Sequence, residues 1–296
     1  MPNTLTNLKD VKVAQSAIKP FMATLLPIRA FSSNFSPEPA DKLDTIRVPI
    51  VGAPSPASDF SGSYTADVDS SIDVAPVQLN RHKYKTVHVT AREASETALN
   101  VLETLVGSAV KQLAQDVLQD IFTEITAANY GDPAIAALAS TAFDYKKVLG
   151  VRESCANARM PSTDRALVLD AAYFSNLLGD DIVAKSFMTP VALPGVVDGV
   201  IRRLAGFDVY ETTILPNTEK LVGFAGHPSC LAVAMRYLQP VAEYDEAGAV
   251  TDPVTGLTFG YLRYTETSSN RIFVTVECLY GFKVAIAGGL KRIVKP

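Results

Sequence analysis

Tryptophan is absent from the chain, and cysteine and histidine appear only three times each. Cys155, Cys230 and Cys278 lie far apart, are odd in number and share no metal-ligand or redox spacing. They read as reduced, buried thiols, which argues against a disulfide scaffold. His82, His88 and His227 are scattered, so no zinc-type cluster is spelled out. Charge of one sign is also lacking, since 27 basic residues face 31 acidic ones. A net charge of -4 gives no global basic field for nucleic acid. Long apolar runs are missing too. The most apolar stretch, near the C-terminus, is interrupted by Glu277, Lys283 and Lys291, so no membrane span is expected. The short run at 21–28 is flanked and broken by Pro20 and Pro27 and is not expected to be a signal peptide.

Catalytic signatures are equally scarce. The chain has no G-x-S-x-G elbow, Walker loop, Rossmann glycine fingerprint or H-E-x-x-H. His227 and Cys230 stand three apart at an expected helix start, where a thiol can be activated. With no carboxylate placed beside them, a packed thiol is the better reading. Asp180 and Asp181 read as a solvated loop. Asp252, Thr255 and Gly256 read as a turn, because the alternating oxygen ligands of a calcium loop are missing. No catalytic, cofactor or metal residue is assigned, and no cofactor is expected.

What is present is 48% hydrophobic residues, enough for a sizeable core. Residues 1–42 resemble an arm. Pro20, Pro27, Pro37 and Pro39 break it, yet it carries Phe21, Leu25, Leu26, Phe31 and Phe35, which must pack on something. Residues 43–90 read as a long two-stranded excursion. Ile46, Val48 and Ile50 alternate on the outgoing strand, and a run from Val77 through Val89 returns. The connection contains Phe60 and Tyr64 and is far longer than a hairpin turn. Arg81, Lys83 and Lys85 make a basic run around Tyr84. Lys83 and Lys85 share a strand face and are expected to meet carboxylates of a neighbouring subunit rather than nucleic acid.

Residues 90–130 read as one helix, with Thr90 and Glu93 as a capping box and a stripe of Leu102, Leu105, Ala109, Leu113, Val117 and Ile121. At roughly 1.5 Å per residue it would reach about 60 Å, a spine rather than a globular helix. Beyond it an α/β segment is expected, with helices at 143–156, 171–178 and 228–236 and strands at 166–169, 207–210 and 221–224. Strands at 238–244, 257–265 and 271–280 follow, with a turn-rich linker at 249–256, and the chain closes with strands at 283–286 and 291–294.

The order of these parts, together with Arg47-Val-Pro-Ile-Val-Gly52, Arg165-Ala-Leu-Val-Leu169, Leu204-Ala-Gly-Phe-Asp-Val-Tyr-Glu211, Gly223-Phe-Ala-Gly-His-Pro-Ser229 and Val276-Glu-Cys-Leu-Tyr-Gly-Phe282, resembles the major capsid proteins of tailed bacteriophages. The resemblance runs from about residue 43 onward, and the arm matches only in character. It implies the α+β Hong Kong 97-like capsid fold. Its parts would be an N-terminal arm at 1–42, an extended hairpin loop at 43–90, and the spine helix of a peripheral domain at 91–133. An axial domain at 134–236, returning peripheral strands at 237–280 and C-terminal axial strands at 281–296 would complete it. It further implies self-assembly into pentamers and hexamers of a shell around double-stranded DNA. Implied partners are further copies of the chain, a portal, scaffolding or decoration proteins, and DNA touched nonspecifically on the inner surface. The place would be the virion, after assembly in the host cytoplasm. Expected inter-subunit contacts are Phe31, Phe35, Ile46, Val48, Ile50, Phe60, Tyr64, Lys83 and Lys85. An encapsulin-like compartment and a soluble α/β enzyme are the alternatives.

Overall fold

A computed structural model describes residues 26–39, 45–51, 72–90, 101–181, 203–240, 243–251, 258–268 and 270–296, with the single residues 62, 183 and 201. Its backbone is organised by helix α1, Val101–Phe122. Val106, Ala109, Val110, Leu113, Ala114, Val117, Leu118, Ile121 and Phe122 are buried along it. Their spacing of three and four makes a broad apolar stripe, because the helix must fill a groove rather than touch one partner. This differs from the expected narrow stripe, since Leu105 is 38% exposed.

The spine ends earlier than expected. Thr90 ends strand β4 (Arg81–Thr90), and the proposed cap partner Glu93 lies outside the described residues. Helix α1 stops at Phe122 and does not run on to residue 130. Thr126 then caps a separate turn, α2 (Ala127–Tyr130), by accepting from the Asn129 amide. Glu219 fixes that turn: its carboxylate accepts from the Ala127 N–H at 2.6 Å and from Arg292 at 2.7 Å. Arg292 is buried and also donates to the Gly131 carbonyl.

The described strands form three sheets, and the two larger ones pack against this spine. The largest runs β1 (Ser32–Pro39), β9 (Leu231–Tyr237), β12 (Arg271–Val284), β11 (Thr258–Glu266), β10 (Glu246–Thr251), with β4 on the other edge of β12. Strand β1 is parallel to β9 and the remaining pairs are antiparallel. The second runs β13 (Leu290–Val294), β8 (Leu221–Gly226), β5 (Arg165–Asp170), β7 (Phe207–Thr212), β6 (Arg203–Leu204). Helices α3 (Tyr145–Asn157) and α4 (Ala171–Leu178) pack around it, α3 capped by Asp144 accepting from the Lys147 amide. The third is the hairpin of β2 (Thr45–Val51) and β3 (Ile72–Gln78) alone.

One hydrophobic core joins α1 to both large sheets. At its centre Phe31 stacks on Phe224 at 5.7 Å, and Phe122 meets Phe224 edge-on at 5.7 Å. A second core lies between α3, α4 and the outer face of the second sheet.

Several expectations are corrected here. Part of the expected arm is built into the body: Ile28 and Ala30 are buried on a 3-10 turn, and β1 extends the largest sheet. The returning strand of the excursion is Ile72–Gln78, while β4 pairs with β12 instead. The expected helix at 228–236 is a 3-10 turn, Pro228–Cys230, followed by β9. Leu231, Ala232, Ala234 and Met235 are good helix formers individually, but with Val233 they are completely buried in a strand held between β1 and β12. Residues 238–240, expected as strand, lie outside any element, and β10 begins at Glu246, running into the segment expected as a linker.

Candidate assembly surface

Among the described residues, strand β4 carries a dense charged cluster, and α1 completes it. Side chains of Arg81, Lys83, Lys85, Val87 and Val89 alternate onto one face of β4. On that face Lys83 donates to Asp120 at 2.9 Å and to the Asp116 carbonyl at 3.0 Å. Arg81 sits 3.7 Å from the Asp120 carboxylate and 4.0 Å from Glu124, and its guanidinium lies 4.3 Å from the centre of the Phe282 ring. Tyr280 donates its hydroxyl to Asp120. Burial pushes the Asp120 carboxyl up, but hydrogen bonds from Tyr280 and Lys83 and the charges of Lys83 and Arg81 outweigh it. The net effect holds Asp120 below the ordinary Asp value. On the opposite face of β4, His82 contacts the buried Glu277 at 3.0 Å, Thr86 bonds Thr275 at 2.8 Å, and His88 lies beside Phe273 at 5.4 Å. Phe273 stacks in turn on Tyr264 at 4.9 Å.

The hairpin has a separate, tightly fitted root. Ile46 and Val77 face each other across β2 and β3 and pack on Ala232 and Ala234 of β9. Gly281 of β12 lies beneath them, and a Cβ there would collide with the Gln78 carbonyl. The chain then turns through Asn80, whose amide donates to the Gln78 carbonyl at 3.1 Å, and enters β4.

The expected contact residues separate into three groups. Phe31 is 3% exposed and belongs to the subunit's own core, which corrects its assignment to an interface. Lys83 finds its carboxylate within the chain, a second correction; Asp120 is distant in sequence, so no local pattern announces it. Phe35 lies on β1 opposite Met235, Val48 and Ile50 lie on β2 opposite Ala75 and Asp73, and Ile46 is at the root. Lys85 is exposed. Phe60 and Tyr64 lie outside the described residues. Sequence reading passed over Tyr84 as an apolar feature. It is 65% exposed, and its alternation with lysines was the available signal.

The other candidates are quiet. Burial pushes the Cys230 thiol up to about 12, Cys278 to about 12 and Cys155 to about 11, so none is a ready nucleophile. His227 caps its 3-10 turn by accepting from the Ser229 amide at 3.3 Å, and its Nδ1 lies 2.8 Å from the Ser229 hydroxyl. Asp180 accepts from the Tyr145 amide at 2.9 Å, which fixes the start of α3. Residues 252–257, with the turn expected at Asp252, lie outside the described residues. Among the described residues, no cluster of three or more His, Cys, Asp or Glu is placed to hold a metal ion, and no helix is long and apolar enough to cross a membrane.

No family model matches the chain, and no curated protein matches it. Solved structures do. The capsid of the cyanophage P-SCSP1u aligns with a TM-score of 0.59 at 12% identity, over 90% of this chain and 86% of that one. The structure of Mycobacterium phage Che8 aligns at 0.55 with 19% identity, over 85% of each chain. A virus-like particle from Pyrococcus furiosus aligns at 0.55 with 12% identity, over 95% of this chain and 97% of that one. Matches that cover 85% to 95% of the chain establish the architecture: the chain has the α+β, Hong Kong 97-type fold of phage capsid and virus-like particle subunits.

Proposed function

We propose that this chain is the structural shell subunit of a tailed phage. It assembles with itself into the pentamers and hexamers of an icosahedral capsid that encloses double-stranded DNA, and it performs no catalysis. The observation that carries this reading is the capsid fold combined with a hairpin, β2–β3, that forms a sheet of its own and is anchored at its root. A lone two-stranded hairpin is marginal in water, so a neighbouring subunit must cover it. Heterologous contacts that close by rotation give rings, and rings build shells. Residues 46–51 and 72–78 then lie over an adjacent copy, with Val48, Ile50, Phe60 and Tyr64 at the contact. The arm expected at residues 1–42 changes conformation during assembly or maturation, and equal protease sensitivity before and after assembly would count against it. The portal, scaffolding or decoration proteins and DNA on the inner surface are the further partners. The working place is the virion, after assembly in the host cytoplasm.

Negative-stain microscopy of the expressed chain is the test. Closed particles are expected, and a persistent monomer would sink the reading. The near-complete mutual coverage with a virus-like particle favours a second reading, an encapsulin-like compartment that encloses protein cargo. Particles from infected cells that carry nuclease-protected DNA, a portal and a tail support the phage reading; particles holding only protein support the compartment.

A further inference from the structure

The chain crosses twice between its two large sheets at a single junction. Residues 227–230 carry β8 of the second sheet into β9 of the largest. Residues 285–289 carry β12 of the largest into β13 of the second. Backbone bonds fix the two crossovers side by side. The His227 amide donates to the Gly289 carbonyl at 2.9 Å, and the Ala285 amide to the Cys230 carbonyl at 3.0 Å. The Cys230 amide closes the turn on the His227 carbonyl at 2.9 Å. Packing is close, since a Cβ on Gly289 would stand 3.1 Å from Cα of Cys230. The Tyr130 hydroxyl of α2 also donates to the Cys230 carbonyl, at 3.2 Å. One short turn therefore bears on both sheets and on the segment that follows the spine.

That turn is fastened by a titratable side chain. Nδ1 of His227 accepts from the Ser229 amide at 3.3 Å and lies 2.8 Å from the Ser229 hydroxyl. Accepting at Nδ1 puts the ring proton on Nε2. A second proton, on Nδ1, leaves the ring able only to donate. The Ser229 hydroxyl can turn to accept it, but the Ser229 amide loses its acceptor. The charged groups that face the ring are Asp164 and Arg165. Arg165 is committed to the Met160 and Pro161 carbonyls. Residues 285–289 carry no charge, and β1 and β9, which also abut the turn, bear theirs near their far ends, at Glu38 and Arg236. Tyr130 and Cys230 are the other titratable groups at the junction, and burial keeps both neutral. Burial outweighs the Asp164 carboxylate, with Arg165 acting alongside it, and holds His227 below the ordinary His value. We propose that His227 is an acid-sensitive fastener between the two large sheets: the neutral ring closes the 227–230 turn, and the protonated ring releases it.

Folded His227 binds its proton less well than the released group, which titrates near the ordinary value of about 6.5. The closed turn is therefore fully favoured above that value and loses ground as pH falls through it towards the lower folded one. Hydrogen exchange of the unassembled full-length subunit, at about pH 7.5 and about pH 5 with intrinsic rates divided out, tests the proposal. The amides of His227, Cys230 and Ala285 should lose about tenfold in protection at the lower pH. Those of Leu167 to Leu169, in the central strand β5, should keep theirs. His227→Asn retains a side-chain acceptor that does not titrate, so its protection should match the native value at both pH values. His227→Ala has no acceptor and should be about tenfold less protected at both. Native protection that does not change with pH overturns the proposal. So does an equal acid loss in His227→Asn, which would assign the response to another group. Equal loss at Leu167 to Leu169 would mean global unfolding and overturns it as well. The native comparison needs no substitution, so it decides the question even if a variant misfolds. It is read on the subunit alone and stands apart from the shell reading.

Discussion

The second sheet and the β2–β3 hairpin solve opposite problems. Strand β8 of the second sheet is buried at every residue from Leu221 to Gly226, flanked by β5 and β13 and sealed by two cores. The hairpin joins neither large sheet and is held at its root by Ile46 and Val77 on Ala232 and Ala234. One region completes itself within the subunit. The other has backbone order specified by pairing and a fitted base, and in the proposed function a second molecule covers its length. On that reading the fold separates the stability of the subunit from the stability of its assembly, and substitutions should separate them too.

The largest effect belongs to the self-contained region. Phe224→Ala removes the ring shared by the arm end, the spine and the second sheet. It should cost about 3–5 kcal/mol of subunit stability in denaturant unfolding. A loss below 1 kcal/mol would show that the three-ring cluster does not tie the sheets together.

Next comes the root. Gly281→Ala places a methyl group against the Gln78 carbonyl and should cost roughly 1–3 kcal/mol through displacement of the hairpin base. Hydrogen exchange should rise at 45–51 and 72–78 while β8 stays protected. Uniform loss of protection would break the proposed separation.

The Asp120 cluster gives a smaller, pH-dependent effect. Its carboxyl is held below the ordinary Asp value, so the folded state binds the proton less well than the unfolded chain. The stabilisation is therefore complete above about pH 5, and it fades as pH falls through the ordinary value near 3.9 towards the lower folded one. Asp120→Asn should remove about 1 kcal/mol or less at neutral pH, because the cluster is partly solvated, and should flatten the acid limb of the stability curve. An unchanged acid limb would mean that Asp120 is not the group responsible. The smallest response is expected from the thiols. Native subunits at pH 8 should resist alkylation at Cys155, Cys230 and Cys278, with labelling only on unfolding.

Much of the self-contained region was legible in the sequence, because local signals and burial agree there. Asp144 caps α3, the apolar run 166–169 is a buried strand, and Gly206 turns β6 into β7 at φ 88°. The misreadings fall where distant residues decide. Leu231 to Met235 form a strand because β1 and β12 flank them. Lys83 looked available for a neighbour because Asp120 is far along the chain. Phe31 looked like an arm residue because nothing nearby in sequence announces Phe224. Of the assembly surface, the strand at 46–50 was legible, but its partner at 72–78 was confused with β4, since both alternate and only one reaches β12.

The most direct measurement compares the full chain with a chain lacking residues 52–71, by sedimentation velocity and negative-stain microscopy. The full chain should form closed shells. The deletion should remain a monomer or small oligomer whose unfolding midpoint matches that of the full subunit. Intact shells from the deletion, or a full chain that stays monomeric, would contradict the account.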